Sequence, residues 1–454
     1  MGIGAAAALV GQSCATDTEA DGAKAKSGKK AGPMTTRTNP NTGDVVSLLG
    51  YGCMRLPVVN PDAEDDGGID QEQVNEQVDY ALKHGVNYFD TSPAYCKGRS
   101  EAAMGIALSR HPRDSYFLAT KLSNFAPQTW TAEASKEMFE NSLKYLQTDY
   151  VDYLLLHAIG GQTEDLDPQQ LFDKRYIENG LLDWLEEQKK AGRIRNLGFS
   201  YHGDVAVFDR LLREMDEGKR HWDFVQIQHN YIDWNHAKDE RDRNTNSSYL
   251  YGELEKRGIP AVVMEPLLGG RLANVPVAVA GKMKARRPDD SVASWAFRFA
   301  GSQPGILTVL SGMTYMDHIK ENVATYSSLD PVTDEEGEFL EHAAMDILLN
   351  DNVPCTACAY CMPCPYGVDI PSIFAQYNKS LNEDAVARDK RDPRYEKARK
   401  RYLIGMDRVI PKSRQADTCI GCGTCLSHCP QGIEIPTRLQ DIAKYTEELR
   451  SSLA

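Results

Sequence analysis

Between residues 45 and 325 the chain alternates eight times between a short apolar run and an amphipathic stretch, and no other feature narrows its fold so far. The apolar runs lie near 48–54, 86–91, 116–121, 151–157, 194–200, 224–229, 260–265 and 306–311. Most are continuous rather than alternating, as strands covered on both faces are. Among the stretches between them, Asp70 reads as a helix N-cap, with Val74, Val78 and Leu82 following at spacings of four. Phe139, Leu143 and Leu146 form a second stripe, and Val292, Trp295 and Phe299 a third. Gly85, Gly192 and Gly258 stand where a helix should stop before the next strand. Eight such βα units predict an α/β protein built on a (β/α)8 TIM barrel, with its active site at the C-terminal ends of the strands. An open doubly wound sheet is the alternative. It usually carries a G-x-G-x-x-G turn after its first strand, and none follows here.

Three successive strands each deliver a titratable group at that end. The run Val86 to Asp90 breaks at Ser92-Pro93, with Tyr95 a turn further on; Pro93 makes the loop after Asp90 a defined bend. Tyr116 to Lys121 ends in a lysine, and Tyr150 to His157 in a histidine. Taken singly, each has an ordinary reading: a tyrosine after a strand is packing, and an Asp/Lys pair is a salt bridge. Four placements on strands two, three and four together point to chemistry.

Asp90 and Tyr95 in D-T-S-P-A-Y, Lys121 in A-T-K and His157 in L-L-L-H resemble the catalytic tetrad of the aldo-keto reductases, a likeness that covers about residues 45–325. The resemblance implies a carbonyl reductase or alcohol dehydrogenase using NADPH or NADH. Hydride delivery to a carbonyl carbon leaves an alkoxide that needs a proton, and a phenol of pKa about 10 is a poor acid unless a cation stabilises its anion. On that reading Tyr95 donates the proton, Lys121 supplies the cation, Asp90 holds the lysine, and His157 orients the substrate oxygen. The resemblance further implies a cofactor site: Ser200 in G-F-S-Y-H and Gln226 in Q-I-Q-H-N at the nicotinamide amide, Pro266-Leu267-Leu268-Gly269-Gly270 over the pyrophosphate, and Glu321-Asn322 at the adenine. Tyr201 stands where the family has an asparagine, and Met264 where it has a ring-stacking aromatic. Gly312, Met313 and His318 occupy the positions that would clamp a 2′-phosphate, so NADPH and NADH both stay open.

Of eleven cysteines, eight fall in two tight runs, and this spacing points to metal or cluster ligation rather than disulfides. Cys419-x2-Cys422-x2-Cys425-x3-Cys429-Pro430 is the bacterial ferredoxin run for [4Fe-4S] ligation. Cys355-x2-Cys358-x2-Cys361-x2-Cys364-Pro365 is one residue shorter before its fourth cysteine. Both continue alike, as C-P-Y-G-V-D-I-P and C-P-Q-G-I-E-I-P, an internal repeat. The module therefore resembles a two-cluster ferredoxin with a long helical insert, giving a small, mainly α-helical iron–sulfur domain after the barrel. In that pattern the fourth cysteine of each run serves the other cluster. The pairing this implies is Cys355, Cys358, Cys361 and Cys429 on one cluster, and Cys419, Cys422, Cys425 and Cys364 on the other. Zinc is the other reading of closely spaced cysteines, although its sites usually use two Cys-x2-Cys pairs per ion. Nicotinamide moves two electrons as hydride and a cluster moves one. No flavin fingerprint joins the two, which leaves the clusters structural or served by an external electron carrier. The Arg- and Lys-rich stretch 386–414 would dock an acidic carrier or be a solvated helix.

The expected domains are a leader (1–34), the barrel (35–328) and the iron–sulfur module (329–454). Residues 2–10 form a small apolar run before Ser13-Cys14-Ala15, resembling the later part of a bacterial export signal. A cytoplasmic location and a twin-arginine route to the periplasm both remain open, as does a plain disordered leader. No apolar run approaches a transmembrane length, and the net charge of −14 argues against nucleic acid as a partner. The insertions around 60–69 and 158–178 are expected to shape the pocket for a small carbonyl or alcohol substrate. The non-catalytic alternative is a nicotinamide redox sensor that signals through its clusters.

Overall fold

The computed structural model describes residues 33–60, 68–163, 165–240, 244–429 and 431–451. The leader, with Cys14, and most of the 60–69 insertion lie outside the described residues. The chain enters through a hairpin, β1 (Thr36–Thr38) and β2 (Val45–Ser47), paired antiparallel with Arg37 opposite Val46. Eight further strands follow: β3 (Leu49–Gly52), β4 (Tyr88–Asp90), β5 (Phe117–Leu122), β6 (Val151–Ile159), β7 (Ile194–Tyr201), β8 (Phe224–Gln228), β9 (Ala261–Met264) and β10 (Ile306–Gly312). Each is parallel to the next, and β10 returns to β3 to close the barrel. All eight expected strand positions are thus occupied.

The hairpin was not expected, because strands of three residues are too short to show a period. It plugs the N-terminal end of the barrel. Val46 joins Tyr88, Tyr153, Phe224 and Leu307 in the interior cluster, Asn39 Nδ2 donates to Tyr153 Oη at 3.1 Å and Asn41 Nδ2 to Asp223 O at 2.8 Å. The opposite end is left for chemistry.

The expected helices form with the expected faces. Asp70 caps Gln71–Lys83 by accepting from Gln73 N at 3.0 Å, and Val74 and Val78 are buried. Thr131 caps Ala132–Leu146, which buries Phe139, Leu143 and Leu146, and Ser291 caps Val292–Ser302, which buries Trp295. Gly85, Gly192 and Gly258 all take left-handed backbone just beyond helix ends. A capping box of Thr333 and Glu336 starts the helix Asp334–Leu348. Its Phe339, Leu340 and Ile347 share a hydrophobic cluster with Tyr231, Leu268 and Trp295, so this helix packs on the outside of the barrel.

The cysteine region has its own core. Helices Ile370–Asn382, Tyr395–Val409 and Ile435–Ser451 pack through Phe374, Tyr402, Met406, Leu439 and Ile442, with six of the cysteines at the edge of that cluster. The internal repeat is visible in structure: Ile370 and Ile435 open equivalent helices, and both are buried. Tyr395–Val409 turns Tyr402 and Met406 inward and Lys397, Lys400 and Arg408 outward, which is the solvated-helix reading of the basic stretch. Among the described residues no helix is long and apolar enough to cross a membrane.

Candidate active site

Strand register assembles the tetrad. Asp90 ends β4, level with Gly52 on one side and Ala119 on the other, and Lys121 lies two residues further along β5. Lys121 is level with Leu155, two residues before His157 on β6. The Lys121 ammonium bonds Asp90 Oδ1 and donates to Thr91 O at 2.8 Å, while Asp90 Oδ2 is buried with no partner. Both members of the ion pair are almost fully buried. Burial pushes the Asp90 carboxyl above its usual range, against the pull of the lysine charge. Tyr95 follows the Ser92-Pro93 bend on a short 3-10 turn and carries its ring 4.7 Å from Lys121 Nζ. Its ring meets that of His157 edge-on, centroids 5.9 Å apart. The four predicted residues are brought to one place.

The electrostatics set the resting protonation states. Burial, then the charges of Asp90, Tyr360, Cys53 and Glu265, push the Tyr95 phenol well above 10, so it holds its proton at neutral pH. Burial, then the charges of Lys121, His202 and Arg175, hold His157 well below 6.5, so its ring is neutral. His157 Nδ1 lies 2.6 Å from Ser123 Oγ, which is 2.8 Å from Ser92 Oγ. With Nδ1 accepting from Ser123, the ring proton sits on Nε2.

Arg175 escaped the sequence reading. It lies in the 158–178 insertion, which the structure folds into a helix Pro168–Phe172 and a π-helical turn Asp173–Ile177. Its buried guanidinium donates to His157 O at 2.7 Å and to Asn124 Oδ1 at 2.9 and 3.1 Å, tying the end of β6 in place. The sequence carries no signal for this beyond an arginine in a pocket-shaping insertion.

The residues expected around a nicotinamide divide. Ser200 and Gln226 are buried near the ends of neighbouring strands β7 and β8; Ser200 Oγ accepts from Ala158 N at 2.9 Å, and Gln226 Oε1 has no hydrogen-bond partner among the described residues. An orphaned buried acceptor beside a buried hydroxyl fits a carboxamide. Further out the fit fails. Gly269 and Gly270 have φ of 67° and 100°, but a Cβ on Gly269 would lie 2.3 Å from Thr356 O, so the cysteine module lies on the loop Pro266 to Gly270. Asn322 Nδ2 is spent on Ser311 Oγ at 3.0 Å while Glu321 is exposed, and Met313 is buried in the core.

The cysteines gather in two quartets that cross the runs. Cys361 feels the charges of Cys358, Cys355 and Cys429, and Cys425 those of Cys419, Cys422 and Cys364. Cys364, Cys419, Cys422 and Cys425 line one cavity of about 180 Å³ together with Ile420 and Leu439, and Cys361 of the other quartet borders the same cavity. Among the described residues, no three His, Cys, Asp or Glu side chains converge as a single metal ion requires. With Zn–S bonds of about 2.3 Å, a zinc site needs its sulfurs nearly touching.

Comparison with known proteins agrees with both halves. The model of the Aldo/keto reductase family matches residues 48–343, and that of the 4Fe-4S dicluster domain matches residues 354–434. An uncharacterized oxidoreductase, YqkF, of Bacillus subtilis (strain 168) is 24% identical over 66% of this chain and 94% of its own length. L-galactose dehydrogenase of Arabidopsis thaliana is 26% identical over 64% of this chain and 87% of its own. The solved holo form of an aldo-keto reductase from Bacillus halodurans superposes with a TM-score of 0.52 at 26% identity, covering 68% of this chain and 96% of that one.

Proposed function

The chain belongs to the aldo/keto reductase family and carries a 4Fe-4S dicluster domain, and on that premise we propose that it interconverts a carbonyl and an alcohol at the Tyr95 hydroxyl. The observation that carries this reading is a buried, protonated phenol set between a lysine ammonium and a neutral imidazole. Tyr95 holds a proton at Oη, whose hydroxyl has no hydrogen bond among the described residues. Lys121, anchored by Asp90 and Thr91, places positive charge beside the phenolate left when that proton goes. His157, neutral and fixed by Ser123 and Arg175, gives a second hydrogen bond where negative charge develops on the substrate oxygen. A sensor has no need of a loaded proton donor.

A nicotinamide, when bound, supplies or accepts the hydride, and Ser200 and Gln226 would hold its amide. Clusters on Cys355, Cys358, Cys361 and Cys429, and on Cys419, Cys422, Cys425 and Cys364, would supply one electron each. An external electron carrier would approach at the second quartet, a reading supported by the exposure of Cys422 and Ile420. The test is Tyr95→Phe in anaerobically prepared protein, assayed on a panel of carbonyls and alcohols with NADPH and NADH. Turnover is expected to fall by about 10²–10⁴ with iron content unchanged. Full activity in that variant contradicts the proposal.

A further inference from the structure

The first cysteine run lies on the side of the barrel where a dinucleotide's phosphates are expected, and two contacts at Thr356 hold it there. Thr356, between the ligand candidates Cys355 and Cys358, presses its backbone onto Gly269 in the loop after β9; a methyl group there would come within 2.3–2.5 Å of Thr356 O, Cα and C. Arg55, after β3, donates a guanidinium hydrogen bond to Thr356 O. The same arginine lays its methylenes over Gly312 at the end of β10, where a Cβ would meet them at 3.3–3.6 Å, and its own carbonyl accepts from Thr314 Oγ1 at 2.9 Å. Thr356 and Arg55 together thus span the gap between the loops after β9 and β10. A separate clasp outside the gap, from Asn382 Nδ2 to Asn274 O, ties the first module helix to the chain beyond the β9 loop.

We infer that the segment 355–360 fills the phosphate half of the dinucleotide groove, so that its seating and nucleotide binding exclude each other. The inference rests on the nicotinamide reading above and adds that access to the tetrad is controlled by the first cysteine run. The sequence departures fit this arrangement. A groove whose phosphate half is covered by its own chain has no use for basic residues at 312, 313 and 318. The nicotinamide half lies apart from the clasp, whose hydrogen bonds run from Arg55 to Thr356 and from Asn382 to Asn274.

The experiment measures binding of NADPH and NADH by calorimetry to the anaerobic, iron-loaded full chain. Hydrogen exchange of residues 353–362 is followed with and without nucleotide. Wild type is expected to bind weakly and to show faster exchange in 353–362 when nucleotide is added. Arg55→Ala, which cuts the clasp to Thr356, should bind about tenfold more tightly. Asn382→Ala, outside the groove, should shift affinity in the same direction and guards against a misfolded Arg55→Ala. Micromolar binding to wild type with unchanged exchange in 353–362 overturns the inference and leaves the nicotinamide reading standing. Weaker binding in Arg55→Ala also overturns it, because Arg55 would then be a phosphate ligand in an open groove. If neither wild type nor the two variants bind nucleotide, the nicotinamide reading itself fails, and the inference falls with it.

Discussion

The tetrad and the cysteine quartets are both clusters of reactive side chains, yet they are built in opposite ways. Asp90, Lys121 and His157 sit on adjacent strands, and the parallel register alone brings them level. The barrel sets their geometry with nothing bound. The eight cysteines sit on loops between helices, six of them only half-buried at the edge of the small core. Five of them, Cys361, Cys364, Cys419, Cys422 and Cys425, border one cavity of about 180 Å³. Strand-borne groups are therefore preorganised by hydrogen bonds already paid into the sheet, whereas loop-borne thiols depend on what they ligate to fix them.

That contrast can be broken in three places. The largest effect concerns the crossed quartets. Cys355→Ala combined with Cys429→Ala removes two ligands of one cluster, and about four of about eight irons should remain by chemical analysis. If each run instead held its own cluster, the same pair would strip ligands from both, and iron would fall toward zero.

Next comes the ion pair. Lys121→Met leaves the Asp90 carboxylate buried beside an apolar side chain, and loss of one partner of a buried pair costs about 3–5 kcal/mol. Denaturant unfolding of the barrel should show a loss of that order, with iron content unaffected. An unchanged midpoint would mean that the sheet does not need the pair it encloses.

The smallest effect is on pH dependence. His157 is held neutral in the fold, well below the 6.5 of an exposed ring. The unfolded chain therefore binds one more proton than the folded one below about pH 6.5, so this group's contribution to stability is intact above that pH and is lost as pH falls. The slope is about 1.4 kcal/mol per pH unit below pH 6. His157→Gln should flatten the stability curve by that amount in that range. Equal slopes in the two proteins would show that the ring is protonated in the fold.

Legibility followed locality. The strands could be read because each is a continuous apolar run, and the tetrad because each member ends or follows such a run. The cysteine runs announced themselves by spacing, and in the structure Cys429 of the second run lies near Cys361 of the first. What stayed hidden was non-local. The hairpin Thr36–Ser47 is too short for periodicity, and its role depends on Val46 meeting residues from Tyr88 to Leu307. Arg175 gains its importance only when the π-helical turn delivers it to His157 O. The placement of Thr356 on Gly269 joins positions far apart in sequence, and nothing in either segment hints at the contact. Met313 looked like a vacated phosphate site and is a core residue.

A strand-built frame of Asp90, Lys121 and His157 is joined to two loop-built cysteine quartets, and the quartets are the half that one measurement can decide. Anaerobic purification followed by iron, sulfide and zinc analysis, with EPR after dithionite, should give about eight irons, matching sulfide and a reduced [4Fe-4S] signal. Stoichiometric zinc without sulfide would contradict it, leaving a barrel reductase with a purely structural C-terminal module.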